Sequence, residues 1–199
     1  MKKKLLIVNP NQFGYSAGYQ YYCKYLKDEF DIDFLCIDRG FVKVDAPSVQ
    51  VIYRNFKKNR INNLLSFILY AIRLSRKNKY DIIFSVYFRW VFLLGMLCKS
   101  KLKILDIRTG SLSDNKLQRL LYNSMNLFSS FFFDKITILS SSLAGLLKLP
   151  EKKTNILPLG ASALDETQKL FNKMHLLYVG TLHKRHIEKT IDGFSRFYK

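Results

Sequence analysis

Cysteine and histidine are scarce in this chain, and neither is arranged for chemistry. The three cysteines, Cys23, Cys36 and Cys98, lie far apart with no C-x-x-C pair. That spacing argues against a thiolate zinc site and a disulfide framework, and leaves each as a small core hydrophobe in a reduced, cytoplasmic setting. His175, His183 and His186 form no H-x-x-x-H pair, and no carboxylates stand at metal-ligand spacing, so no metal is expected. Long apolar runs are missing too. The run Trp90–Cys98 is interrupted by Gly95 and falls far short of a membrane span, and Leu5–Val8 is too short for a signal h-region and reads as a first strand. There is no G-x-G-x-x-G and no Walker A loop, which disfavours a nicotinamide, flavin or P-loop nucleotide site. No helix-turn-helix or ribonucleoprotein motif appears, so nucleic acid is the less favoured anionic partner. Acidic residues are few: 15 Asp and Glu against 33 Lys and Arg leave a net charge of +18. The partners this favours are phosphorylated ligands or another polyanion, nucleic acid, or an anionic membrane surface.

What is present is a strand–helix alternation. The 199 residues are 48% apolar, enough for a packed core. Strands are expected at 4–8, 32–37, 49–53, 81–86, 102–107, 135–139 and 155–159, with helices after residue 18, across 61–75, at 91–97, from an N-cap at Ser113, and after Ser140. The first strand–helix–strand step implies a parallel sheet, and the whole an α/β, doubly wound architecture. Residues 161–173 turn polar and read as a connector. At Met174 the chain restarts, with a strand over Leu176–Val179, a turn at Gly180, a basic loop to His186 and a helix carrying Ile187, Ile191, Phe194 and Tyr198 on one stripe. The expected division is residues 1–165 and 166–199, the second part unfinished because a lone strand–helix unit cannot cover its own strand.

Ligands of open parallel sheets gather at the carboxyl ends of the strands. In the first such loop, Asn11, Gly14 and Ser16 offer amide, backbone and hydroxyl groups suited to a sugar or polyol; a hydrogen-bonded surface loop is the alternative. Asp106 and Arg108 alternate along one strand end, so one face carries a proton acceptor and a phosphate-gripping guanidinium, or a structural ion pair. Ser140 and Gly160 stand at two further strand ends, Ser140 in position to cap a helix. Gly180, Thr181, Lys184 and Arg185 surround the next helix start, where free N–H groups and the helix dipole favour an anion; an ordinary solvated basic loop fits the same residues.

Three segments in order carry a resemblance. Ile136-Thr137-Ile138-Leu139-Ser140-Ser141-Ser142-Leu143, Asn155-Ile156-Leu157-Pro158-Leu159-Gly160-Ala161 and Leu177-Tyr178-Val179-Gly180-Thr181-Leu182 resemble successive motifs of retaining glycosyltransferases of GT-B architecture, family four type. The helix ending Ile191-Asp192-Gly193-Phe194 is similar to the family's next helix. The resemblance implies two Rossmann-like domains, the first binding a glycan or lipid-linked acceptor and the second a nucleotide-sugar, without a metal or other cofactor. It places Gly180, Thr181, Lys184 and Arg185 at the donor diphosphate, although Thr181 stands where the family has Arg. It also implies weak or absent transfer by these residues alone, unless a second chain completes the donor side.

One further expectation concerns the helix at 61–75. Its apolar face and basic ends (Lys57, Lys58, Arg60, Arg73, Arg76, Lys77 and Lys79) suit either a crossover helix or a segment lying on an anionic membrane, which would make the protein peripheral on the membrane's cytoplasmic face. The two differ on Phe67 and Tyr70, which face outward if the helix docks. The competing class for the whole chain is a non-enzymatic basic module that binds nucleic acid or another polyanion.

Overall fold

The computed structural model describes residues 2–16, 18–55, 60–160 and 187–197, and for 60–62 and 197 the backbone alone. The chain divides into two compact units, Met1–Gly160 and Ala161–Lys199. The first holds seven strands, β1 (Lys3–Val8), β2 (Phe30–Asp38), β3 (Val49–Asn55), β4 (Ile82–Val86), β5 (Leu102–Ile107), β6 (Lys135–Ile138) and β7 (Thr154–Ile156), with α1 (Tyr19–Leu26), α2 (Arg60–Asn78), α3 (Phe92–Leu97), α4 (Lys116–Ser130) and α5 (Ser141–Leu146). The strands form one sheet in the order β3-β2-β1-β4-β5-β6-β7, every pair parallel. This is a doubly wound, Rossmann-like α/β fold.

Strand parity sorts the core into two layers. Leu6 and Val8 point to one side, where they meet Leu35, Ile83, Leu105, Ile107, Ile136 and Ile138 beneath α2, α3 and α5. Leu5 and Ile7 point to the other, with Ile32, Phe34 and Cys36 beneath Tyr19 and Cys23 of α1. Residues two apart share a face of a strand, so both faces of a central strand must be apolar, as in Leu5-Leu6-Ile7-Val8. Each such side chain contributes about 1.5–3 kcal/mol when fully buried.

In α2, Phe67, Ile68, Ala71, Ile72 and Ser75 are buried at helical spacing. Phe67 is 1% exposed and Tyr70 is half-buried under the Arg54 guanidinium, 4.2 Å from its ring centre. The outward-facing Phe67 expected of a membrane-lying helix is therefore not found; α2 is the crossover between β3 and β4. In the second unit α6 spans Ile187–Phe197. The strand expected at Leu176–Val179, the three histidines, Tyr198 and the loop with Gly180, Thr181, Lys184 and Arg185 lie outside the described residues, as do Lys57, Lys58 and the Arg60 side chain.

Candidate functional site

Strand order reverses between β1 and β4, the place where an open parallel sheet leaves a crevice at its carboxyl edge. Across that edge the register lines up four residues. Val86 pairs with Asp106 and Asp106 with Thr137. Asn9 follows the Val8–Ser85 pair by one residue, and its N–H continues the ladder to Leu35 O at 3.0 Å. Asn9, Val86, Asp106 and Thr137 thus stand level, and alternation carries their side chains to the face covered by α1. Asn9 and Asp106 are two strand spacings apart, about 10 Å.

Asp106 is 1% exposed, and both its oxygens accept hydrogen bonds. Oδ2 accepts from Tyr19 Oη at 2.7 Å and Arg108 Nε at 2.6 Å, and Oδ1 accepts from Thr137 Oγ1 at 2.6 Å. Arg108 Nη2 also donates to Tyr22 Oη, and its guanidinium lies 5.2 Å and 5.3 Å from the ring centres of Tyr19 and Tyr22. Burial would lower the Arg108 pKa, but the bond to Asp106 and its charge prevail and raise it, so the side chain stays cationic. Burial, then the charge of Asp106, push the Tyr19 and Tyr22 phenols up, which keeps both neutral, Tyr19 as a donor to Asp106 and Tyr22 as an acceptor from Arg108. The result is a guanidinium clamped at the rim by a buried carboxylate and two phenols. Two of its five N–H donors are spent in these bonds.

Asn9 adds a second feature. Its Oδ1 accepts from Asn11 N at 3.0 Å, but its Nδ2, fully buried, has no hydrogen-bond partner among the described residues. A buried N–H donor left unpaired costs about 1–3 kcal/mol, so this amide is placed to receive an acceptor oxygen.

The first loop is held from inside. Gln12 Oε1 accepts from the backbone N–H of Arg39 and Phe41, and its Nε2 donates to Phe41 O. Gly14 has φ +89°, and a Cβ there would stand 2.3 Å from Val44 Cγ2. The glycine is thus required by the turn and by Val44 as much as by any ligand. Asn11 is exposed and accepts from Arg39 Nη2 at 3.3 Å; Ser16 is half-buried on the same loop. Ser140 spends its hydroxyl as the N-cap of α5, accepting from Leu143 N at 3.2 Å. Gly160 is exposed, with open space where a Cβ would be. The structure therefore joins Asp106 and Arg108 directly and puts Asn11, Gly14 and Ser16 on one loop, with Ser140 after β6 and Gly160 past β7.

Sequence reasoning missed Tyr19, Tyr22 and Thr137, which reach Asp106 and Arg108 from distant parts of the chain, and Asn9, whose only signal was being the first residue past the first strand. It also missed a cavity of about 260 Å³ at the carboxyl ends of β2 and β3, lined by Ile37, Tyr53, Arg54, Asn55, Ser66 and Phe67 among others. The polar pair Arg54-Asn55 closing an apolar strand was the available signal. Among the described residues no group of three or more His, Cys, Asp and Glu gathers as a metal site.

No family model matches this sequence, and no curated protein matches it. Among solved structures, the chain is similar to Anabaena Alr3699/HepE, determined in complex with UDP and glucose, at a TM-score of 0.50 and 13% identity over 80% of this chain and 45% of that one. It thus spans less than half the length of that protein. A weaker likeness, TM-score 0.40 and 11% identity over 69% of this chain and 76% of that one, is to the C-terminal domain of the coenzyme A biosynthesis bifunctional protein CoaBC. At these identities the first likeness shows the fold, which is GT-B-like in its Rossmann-like domain.

Proposed function

We propose that this chain carries the acceptor-side domain of a sugar-transfer enzyme of GT-B type, which moves a sugar from a nucleotide-sugar to a glycan or lipid-linked acceptor on the cytoplasmic side of a membrane. The observation that carries the reading is the clamped Arg108 beside the unpartnered Asn9 amide at the strand-order reversal. A fixed, permanently charged guanidinium suits a phosphate or a developing negative charge, because its dipoles need no reorganisation as the reaction proceeds. In this reading Arg108 touches the reacting phosphate. Asp106, its three bonds already made, acts as the positioning residue. Asn9, Asn11, Ser16 and the backbone at Gly14 bind hydroxyls of the acceptor, and Ser140 and Gly160 complete the rim. Gly180, Thr181, Lys184 and Arg185 would hold the donor diphosphate, with Lys184 and Arg185 supplying the neutralising charge, and a second chain would supply any donor contacts these residues lack. The likeness to a protein crystallised with UDP and glucose supports the donor class.

The test is label transfer from a panel of UDP- and GDP-sugars to free glycans and lipid-linked glycans. Arg108→Gln is expected to lower kcat/KM by about 10²-fold, the scale of losing one charge-stabilising donor, measured where urea denaturation shows the variant still folded, because it also leaves the buried Asp106 carboxylate without its cation. A variant as active as the wild type would remove Arg108 from the chemistry. A second reading, a basic module for a polyanion, draws on the net charge of +18; it predicts binding to nucleic acid with a steep salt dependence.

A further inference from the structure

We propose that the N-terminal half of α4 is an interfacial anchor, which inserts a leucine ridge into the headgroup region of an anionic membrane. Every residue from Lys116 to Tyr122 is exposed, and the buried positions of this helix, Asn126, Ser129 and Ser130, all lie in its C-terminal half. That end is fixed by aromatic packing, with Phe128 5.2 Å from Phe92 and 5.1 Å from Phe132, ring centre to ring centre. At the other end Tyr122 meets Tyr87, 5.5 Å ring centre to ring centre, while the leucines before it stand in solvent. Leu117, Leu120, Leu121, Ser124 and Phe128 fall on one helical stripe, and the leucines are 64%, 64% and 58% exposed. Leu112, just before the helix, is 84% exposed.

A leucine stripe in water marks an interaction surface rather than a solvent face. The charges around it choose the partner. Lys116 and Arg119 lie in the first turn between the leucines, and no Asp or Glu occurs from Asn115 to Phe133; Asp114, before the N-cap, is the lone local acid. The whole chain carries +18. Leucines with interleaved basic residues, on a helix that satisfies its own backbone, are the makings of an in-plane membrane helix, and anionic lipid supplies the opposite charge. No helix among the described residues is long and apolar enough to cross a bilayer. This inference does not depend on the proposed sugar transfer, and it lies on a different helix from the one whose sequence first suggested membrane contact.

The experiment is co-sedimentation of the 199-residue chain with phosphatidylcholine vesicles, with and without phosphatidylglycerol. Binding to the anionic vesicles is expected. The triple variant Leu117→Gln, Leu120→Gln, Leu121→Gln should lose at least about tenfold in partition, and Lys116→Gln with Arg119→Gln about fivefold per charge. The substituted side chains are exposed, so both variants should keep the wild-type circular dichroism. As a check independent of those variants, Leu120→Trp should give a blue-shifted emission when anionic vesicles are added. Three results would overturn the proposal: unchanged binding by the leucine variant, no binding by the wild type, or a wild-type dimer in solution that the leucine variant dissolves, since a second copy would then cover the ridge.

Discussion

Asp106 is a buried charge whose neighbours make it tolerable. Removing a carboxylate from a buried ion pair leaves the partner cation uncompensated, so Asp106→Ala is expected to destabilise the protein by about 3–5 kcal/mol in urea denaturation. Tyr19→Phe removes one donor to the same carboxylate and should cost less, about 1.5–3 kcal/mol. Equal losses would mean that the charge of Arg108 is not held by Asp106. The pairing of Asp106 with Arg108 was legible because residues two apart on a strand share a face. The phenols were not, because Tyr19 lies 87 residues from Asp106 in the chain and Tyr22 lies 86 from Arg108. Periodicity says that Tyr19 and Tyr22 share the buried face of a helix. It does not say which strand end their hydroxyls reach.

At the scale of elements, α4 shows where local chemistry decides and where it does not. Ser113 is a plausible N-cap by residue type, but the helix starts later. Asn115 is the cap, its Oδ1 accepting from Leu117 N at 2.9 Å and Gln118 N at 3.2 Å, while Ser113 Oγ accepts from Asn115 N. Both residues belong to the capping class, and Ser113 sits in a turn that hands the chain to Asn115. Asn115→Ala should cost about 1 kcal/mol, and Ser113→Ala less, both read from chemical denaturation. The α3–α4 contact has its own gatekeeper. A Cβ on Gly95 would meet Phe132 O at 2.6 Å and Phe132 Cβ at 2.7 Å. Gly95→Ala is therefore expected to cost about 1–3 kcal/mol; a neutral result would mean that α3 slides freely over residue 132. From sequence Gly95 was only an interruption in an apolar run, because the close approach is made by Phe132, distant in the chain and just past the end of α4. The strands were the most legible elements, since a buried parallel strand is a continuous apolar run. Burial of individual residues in α2 was less so: its apolar residues wrap well beyond one stripe, and only packing shows that Phe67 turns inward.

At the scale of the whole molecule, several titrating groups among the described residues are neutral ones that folding keeps neutral. Burial pushes the Cys36 thiol up to about 11 and the Cys23 thiol up to about 12, and raises the phenols of Tyr19, Tyr80 and Tyr87. A folded pKa above the unfolded value contributes stability that is complete below the unfolded pKa and lost as pH rises above it. Stability should therefore hold up to about pH 8.5, where unfolded cysteines begin to ionise, and fall through pH 9–11 as the tyrosines follow. Urea midpoints across that range would show it, and a midpoint rising with pH there would contradict it. At this scale the doubly wound sheet was legible from strand–helix alternation, whereas the rim that makes it a candidate site depends on register between β1, β4, β5 and β6, which no single segment encodes. The role proposed for this rim is to grip a sugar phosphate through Arg108. Calorimetric titration with glucose 1-phosphate and with a nucleic acid oligomer, on the wild type and Arg108→Gln, tests it most directly. Saturable sugar-phosphate binding is expected, weakened at least about tenfold in the variant, the scale of losing a bond to a charged group. Sugar-phosphate binding that is absent or unchanged in the variant, with tight salt-sensitive binding of the oligomer in its place, would contradict it.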